Sequence, residues 1–155
     1  MKIALVSLLL ISLVRCSEQP LVTTENTADT VIIRSGTLFG MCIGYCNKDM
    51  ELVATTATFT KKSRDSAKYP TRTCTKAIAA PKSAELNALA RFTEFMKLPQ
   101  TIGCPDCADG GAEYLELQLG QQQHRVTFEN GKTIPGFEML VKELRTQRDL
   151  FSDCQ

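Results

Sequence analysis

The sequence has 155 residues, 43% of them hydrophobic, with 18 basic against 17 acidic residues and a formal net charge of +1. That length makes a single domain the default, and the balanced charge argues against nucleic acid as a partner, which calls for a clear basic excess. Seven cysteines in so short a chain point instead to cross-links or a metal site as part of what holds the molecule together.

The chain opens with Lys2 and then an uncharged, largely apolar run from Ile3 to Val14, broken only by Ser7 and Ser12. The run is too short to cross a bilayer, which takes roughly 20 residues, and it matches the apolar segment of a secretory signal. Residues 1–16 are therefore expected to be a signal peptide. Val14-Arg15-Cys16 before Ser17 offers a cleavage site for ordinary signal peptidase. Leu13-Val14-Arg15-Cys16 also resembles a bacterial lipobox, which makes Cys16 a lipidation candidate, although Arg15 stands where such boxes carry a small residue. In this reading the membrane is touched only through a lipid anchor at Cys16. Either route removes Cys16 from the thiol inventory and leaves six cysteines, an even number suited to disulfides in an oxidising compartment. Losing Lys2 and Arg15 from the 18 basic residues leaves 16 against 17 acidic ones.

Residues 17–29 are polar and poor in large apolar groups, as a disordered linker would be, and residues 30–155 are expected to form one domain. Thr30 to Phe39 is rich in β-branched residues and predicts a first strand, followed by the corner Gly40-Met-Cys42-Ile-Gly-Tyr-Cys46. Glu51 to Thr60 predicts a second strand, antiparallel to the first, with Val53, Ala57 and Phe59 on one face. Residues 61–80 read as a loop with a basic excess, Lys61, Lys62, Arg64, Lys68, Arg72 and Lys76 against Asp65 alone, tied down by Cys74. Such a loop is either a contact surface for an acidic partner or anionic lipid, or simply solvated. Ser83 predicts the N-cap of a helix to about Lys97, with Leu86, Leu89, Phe92 and Met96 as its apolar stripe. After the corner Cys104-Pro-Asp-Cys107, Leu115, Leu117 and Leu119 alternate with polar residues as a half-buried strand does, and His124 to Glu129 returns after a turn at Gly120. Pro135 predicts the start of a last helix whose buried stripe is Phe137, Leu140, Val141, Leu144 and Phe151, with Cys154 placed to pin its end. The order strand-strand-helix, twice, predicts an α+β domain: two antiparallel strand pairs in one sheet, with two helices packed on one face.

Several constellations carry chemical possibilities. Cys42, Cys46, Cys104 and Cys107, spaced as C-x3-C and C-x2-C, suit tetrahedral zinc, but secretion disfavours free thiolates. Three disulfides among Cys42, Cys46, Cys74, Cys104, Cys107 and Cys154 fit better, and spacing alone leaves their connectivity open. Removing a bond at either glycine corner is expected to cost about 2–5 kcal/mol. Cys104-Pro-Asp-Cys107 also has the form of a thiol-redox motif, yet the helix that would lower the first thiol's pKa is replaced by Gly110-Gly111 and a strand. Asp106, Asp109 and Glu113 form an acidic corner that is a weak calcium candidate, with a solvated Asx turn as the simpler account. His124 is the sole histidine, and no nucleophile motif is placed to use it. No motif asks for a cofactor, and no catalytic residue is nominated.

Cys42-Ile-Gly-Tyr-Cys46 before a strand resembles the C-x-G-x-C corner of a family of small secreted or lipoprotein domains found notably in bacterial envelopes, a likeness carried mainly by this first corner and extended loosely by the strand-strand-helix layout over residues 30–151. Because that family has no established activity, the resemblance implies location and architecture and transfers no catalytic residue. Together these features predict a non-enzymatic binding or structural module, secreted or extracytoplasmic (periplasm or outer envelope for a bacterial lipoprotein), with an unidentified protein or surface as partner. The alternative is a thiol-redox or metal-dependent factor using Cys104 and Cys107 or the acidic corner. Intact mass of the exported protein is expected to lack Met1 to Arg15, with a diacylglycerol increment on Cys16 marking the lipoprotein. A mass that retains Met1 would overturn the signal-peptide expectation.

Overall fold

The computed structural model describes residues 30–154. The expected signal peptide, linker and Cys16 lie outside them. Seven strands, β1 (Ile32–Leu38), β2 (Asn47–Val53), β3 (Thr56–Lys62), β4 (Arg72–Ala77), β5 (Thr101–Ile102), β6 (Ala112–Leu119) and β7 (Gln122–Glu129), form one sheet in the order β4-β3-β2-β1-β6-β7-β5. All neighbours are antiparallel except β5, which runs parallel to β7. Three helices accompany it: α1 (Ala80–Ala90), the single turn α2 (Phe92–Phe95) and α3 (Glu138–Asp149). The α+β class holds, but the sheet exceeds the two strand pairs expected.

The missing strands have local causes. Glu51 to Thr60 is not one strand but the hairpin β2–β3, turned at Ala54-Thr55, where Ala54 takes φ +49. Glycine or asparagine usually signals such a turn. Here the start of α1 supplies the support: Ser83 Oγ donates to the Ala54 carbonyl at 2.5 Å, and the Ile78 amide to the Thr55 carbonyl at 2.8 Å. Ser83 is thus a buried residue inside α1 rather than its cap. The fold-back also puts Val53 in solvent, while Ala57 and Phe59 face the core. Strand β4 lies inside the stretch expected to be a loop. It is an edge strand with little large apolar content, which is why alternation does not reveal it. The helix expected to reach Lys97 breaks at Arg91, in the left-handed region at φ +39. At the last helix, Pro135-Gly136 makes a turn closed by the Phe137 amide on the Ile134 carbonyl, so α3 begins three residues after Pro135.

One face of the sheet and the helices share a single apolar cluster. Ile33, Met50, Leu52, Phe59, Leu115, Leu117, Val126 and Phe128 meet Leu86, Phe95, Leu140, Val141 and Leu144 in it. The stripe expected on α3 is buried in full. The opposite face is polar and carries a charged row across four strands, Glu51–Arg34–Glu116–Arg125, joined at 2.6, 3.0 and 2.7 Å. The next row explains Gly36 in mid-strand. Tyr114 crosses above it to donate to Asp49 at 2.9 Å, and a Cβ on Gly36 would meet the Tyr114 ring at 2.6 Å. Burial, then the Asp49 charge, pushes the Tyr114 phenol well above its ordinary pKa.

The cysteines pair as Cys42–Cys46, Cys104–Cys107 and Cys74–Cys154, with Cα separations of 5.7, 5.5 and 5.9 Å. The third bond ties edge strand β4 to the segment after α3, where Phe151 stacks on Phe59 at 5.2 Å. The corner bonds close sequence separations of only 4 and 3 residues, against 80 for the third. Chain-entropy stabilisation grows with the loop closed, so the heavier role moves from the corners to Cys74–Cys154. Replacing Cys74 and Cys154 together by Ala is expected to cost about 4–5 kcal/mol in urea unfolding, against about 2 kcal/mol for Cys42 with Cys46. Equal midpoint shifts for the two double variants would contradict this assignment.

Candidate functional site

The topology gathers four connections at one end of the sheet. The Cys42–Cys46 corner follows β1, residues 63–71 follow β3, the Cys104–Cys107 corner precedes β6, and the Asn130-Gly131 turn follows β7. The helix-facing side of this end is a cleft of about 590 Å³ between the sheet and the C-terminal part of α3, a size usual for small-ligand sites. Register builds its floor. Glu113, Thr37, Lys48 and Lys61 stand side by side on β6, β1, β2 and β3, and Arg72 on β4 extends the row.

Glu113 is 3% exposed and is the anchor of the cleft. Arg145 donates to it from Nε at 3.1 Å and Nη2 at 2.8 Å, Arg148 from Nη2 at 2.7 Å, and the Gly131 amide at 3.0 Å. Arg145 also donates to the Lys132 carbonyl. Burial alone would raise the Glu113 pKa. The hydrogen bonds from Arg145, Gly131 and Arg148 outweigh it and hold the carboxylate below its ordinary value. One anion thus docks two guanidiniums at the cleft wall.

The remaining cations have no such partner. Lys48 and Lys61 are cross-strand neighbours on one face, an arrangement that repels, and neither forms an ion pair among the described residues. Lys61 lies over the Tyr45 ring at 4.6 Å. Beside them the Thr37 hydroxyl is buried without a hydrogen-bond partner. Asp149 and the carbonyl end of α3 oppose the cations weakly from the other wall. Four cations against Glu113 and Asp149 leave the cleft net positive, a charge balance that favours an anion there.

The residues singled out in the sequence are placed differently. Asp106 joins the two corners, accepting the Gly111 amide at 3.1 Å and the Gly40 amide at 3.4 Å. Gly111, at φ +79, has no room for a side chain because the Phe39 ring fills that space. Glu113 points to the arginines, so the acidic corner is divided: no group of three His, Cys, Asp or Glu among the described residues is placed to hold a metal. Cys104 and Cys107 are exposed, a three-residue 3-10 turn (Cys107–Asp109) follows, and the Cys104 amide donates to Glu129 at 2.9 Å. His124 packs edge-on to Phe95 at 5.7 Å, with Nε2 2.9 Å from the Leu98 carbonyl. The basic excess of residues 61–76 was visible in the sequence. Thr37, Lys48, Arg145 and Arg148 were not singled out there, because only the hairpin register and the docking of α3 bring them together.

No protein-family model matches the chain, and no curated protein matches it significantly.

Because the folded pKa of Glu113 is depressed, its contribution is complete above the ordinary carboxylate value and is lost as pH falls through the folded one. Glu113→Gln is expected to cost about 3 kcal/mol at neutral pH, since it leaves two part-buried guanidiniums without their anion. It should also flatten the loss of stability below about pH 4.5, while Glu116, whose pKa is lowered too once Arg125 and Arg34 outweigh its burial, keeps a residual slope. Unfolding midpoints measured across this range test both; an unchanged slope would remove Glu113 from the anchoring role.

Proposed function

We propose that the protein is an exported, non-enzymatic binding module, of the envelope-domain kind that its first corner resembles, which engages an anionic partner through the cleft at the corner end of its sheet. The observation that carries this reading is the opposition of Lys48 and Lys61 on adjacent strands beside the unpartnered Thr37 hydroxyl. Like charges held face to face destabilise a sheet, so their placement is best explained by a ligand that neutralises them. Three cysteine pairs at bonding distance are compatible with an extracytoplasmic site of action.

The second reading, thiol redox at Cys104–Cys107, is favoured by the exposure of both cysteines ahead of a helical turn. Against it, Asp106, Asp109 and Glu129 surround the pair with negative charge, which opposes a thiolate. The metal reading of the acidic corner loses Glu113, already taken by two arginines.

Inorganic pyrophosphate is a suitable probe of the cleft. Binding stabilises the fold by RT ln(1 + [L]/Kd), about 2.7 kcal/mol at a hundredfold excess, a rise of several degrees in melting temperature. Lys48→Ala is expected to abolish that rise while leaving the unliganded protein as stable as the parent or slightly more so, because it relieves repulsion. An unliganded Lys48→Ala that is clearly destabilised, or a parent unmoved by pyrophosphate, would count against the cleft. Thiol titration of the native protein separates the redox reading: reactive thiols at Cys104 and Cys107 would favour it.

A further inference from the structure

The corner closed by Cys42–Cys46 carries the two most exposed large hydrophobic side chains among the described residues, Met41 at 72% and Ile43 at 92%. Neither belongs to a pocket or a groove. Ile43 projects from a loop whose ends a disulfide holds 5.7 Å apart at the Cα atoms, and Met41 stands immediately before that loop, so the apolar tip has little freedom to fold back. Isolated exposed hydrophobics are common, but these two have distinctive surroundings.

Tyr45 links the tip to the basic loop. Its hydroxyl donates to the Pro70 carbonyl at 2.9 Å, and its ring meets Tyr69 edge-on at 6.0 Å. Lys61 lies over Tyr45, and Lys68 over Tyr69 at 5.4 Å. Lys48, Arg64 and Arg72 lie at the same end, and Asp65 is the one acidic residue of the loop. Lys62 is drawn away toward Asp49 at 3.7 Å. An apolar tip, a pair of tyrosines and a mostly basic flank from β2 to β4 thus share one end of the domain, with Asp106 held against the Gly40 amide at the base of the tip.

We propose that this end docks onto an anionic lipid bilayer, with Met41 and Ile43 entering the headgroup boundary and the surrounding lysines and arginines contacting lipid phosphates. The inference rests on the reading of the cleft as an anion site and names the surface that presents the anions. A soluble polyanion would use the cations and leave the apolar tip in water. A bilayer uses both, because its interface accepts a projecting apolar group without needing a matching pocket, and its surface charge attracts basic residues. Tyrosine suits the boundary, with an apolar ring and a polar hydroxyl.

The chain contains no tryptophan, so Ile43→Trp introduces a lone fluorophore at the tip. The exported variant would be mixed with vesicles of phosphatidylcholine alone and with phosphatidylglycerol added. Expected is a blue shift with the anionic vesicles only, quenched by brominated acyl chains and suppressed by high salt. Adding Lys68→Gln should weaken the partition about fivefold. In the parent background Ile43→Asp should weaken co-sedimentation about tenfold relative to the parent; both carry the same N-terminal segment, so their difference reports the tip. Emission that both vesicle types leave unmoved, while pyrophosphate still raises the parent's melting temperature, would overturn bilayer docking and leave the anion cleft standing. A shift on neutral vesicles as large as on anionic ones would also overturn it, as would protection of the tip by a protein partner where vesicles fail. Vesicle docking without a pyrophosphate response would support the bilayer proposal and sink the cleft.

Discussion

The architecture depends on the buried carboxylate of Glu113. It sits on a central strand, where an unpaired charge would be costly, and is tolerated because two guanidiniums and a backbone amide satisfy it. In return it sets where the C-terminal part of α3 lies against the sheet and holds the β7 turn through Gly131. Remove its charge and Arg145 and Arg148 repel one another at the same wall. The positive cleft therefore grows around one well-satisfied anion: Glu113 gathers two guanidiniums, and Lys48 and Lys61 add charge that no ion pair among the described residues offsets.

The two faces of the sheet treat charge in opposite ways. On the outer face, positive and negative groups alternate across β2, β1, β6 and β7, so that Arg34 and Glu116 each serve two partners. On the helix-facing side, at the corner end, the row runs Glu113, Thr37, Lys48, Lys61, Arg72, and its one acidic member is already taken by Arg145 and Arg148. The first pattern closes on itself and stiffens the sheet. The second is left open. A protein able to alternate charges on one face and leaving them unmatched on the other has a surface in which the imbalance is local, within a sequence almost neutral overall.

How far the sequence revealed this depended on how local each signal was. Alternating Leu115, Leu117 and Leu119 exposed β6, the helical stripe from Phe137 to Leu144 exposed α3, and Cys154 stood where a pin was needed. The hairpin at Ala54-Thr55 was hidden because its turn is supported by Ser83 and Ile78 from a later segment rather than by a glycine. Strand β4 was hidden because threonines, Arg72 and Lys76 resemble a loop until a neighbour pairs with them. The cleft inherits both omissions: Lys48 faces Lys61 only after the hairpin forms, and Arg148 reaches Glu113 across 35 positions of sequence. The acidic corner is divided for the converse reason. Asp106 and Glu113 are close in sequence, but the strand starting at Ala112 sends Glu113 toward α3 while Asp106 turns back to Gly40 and Gly111.

The unequal spans of the cysteine pairs also impose an order on oxidation. Thiols three or four positions apart meet with little help from the fold, whereas bringing together partners 80 apart carries an additional closure penalty on the order of 2–3 kcal/mol in an open chain. The corners can therefore seal while the sheet is still forming. Cys74 finds Cys154 readily only after β4 has joined β3 and Phe151 has settled on Phe59. That last bond acts as a covalent certificate of tertiary structure: where Cys74 and Cys154 are joined, the sheet edge has been assembled.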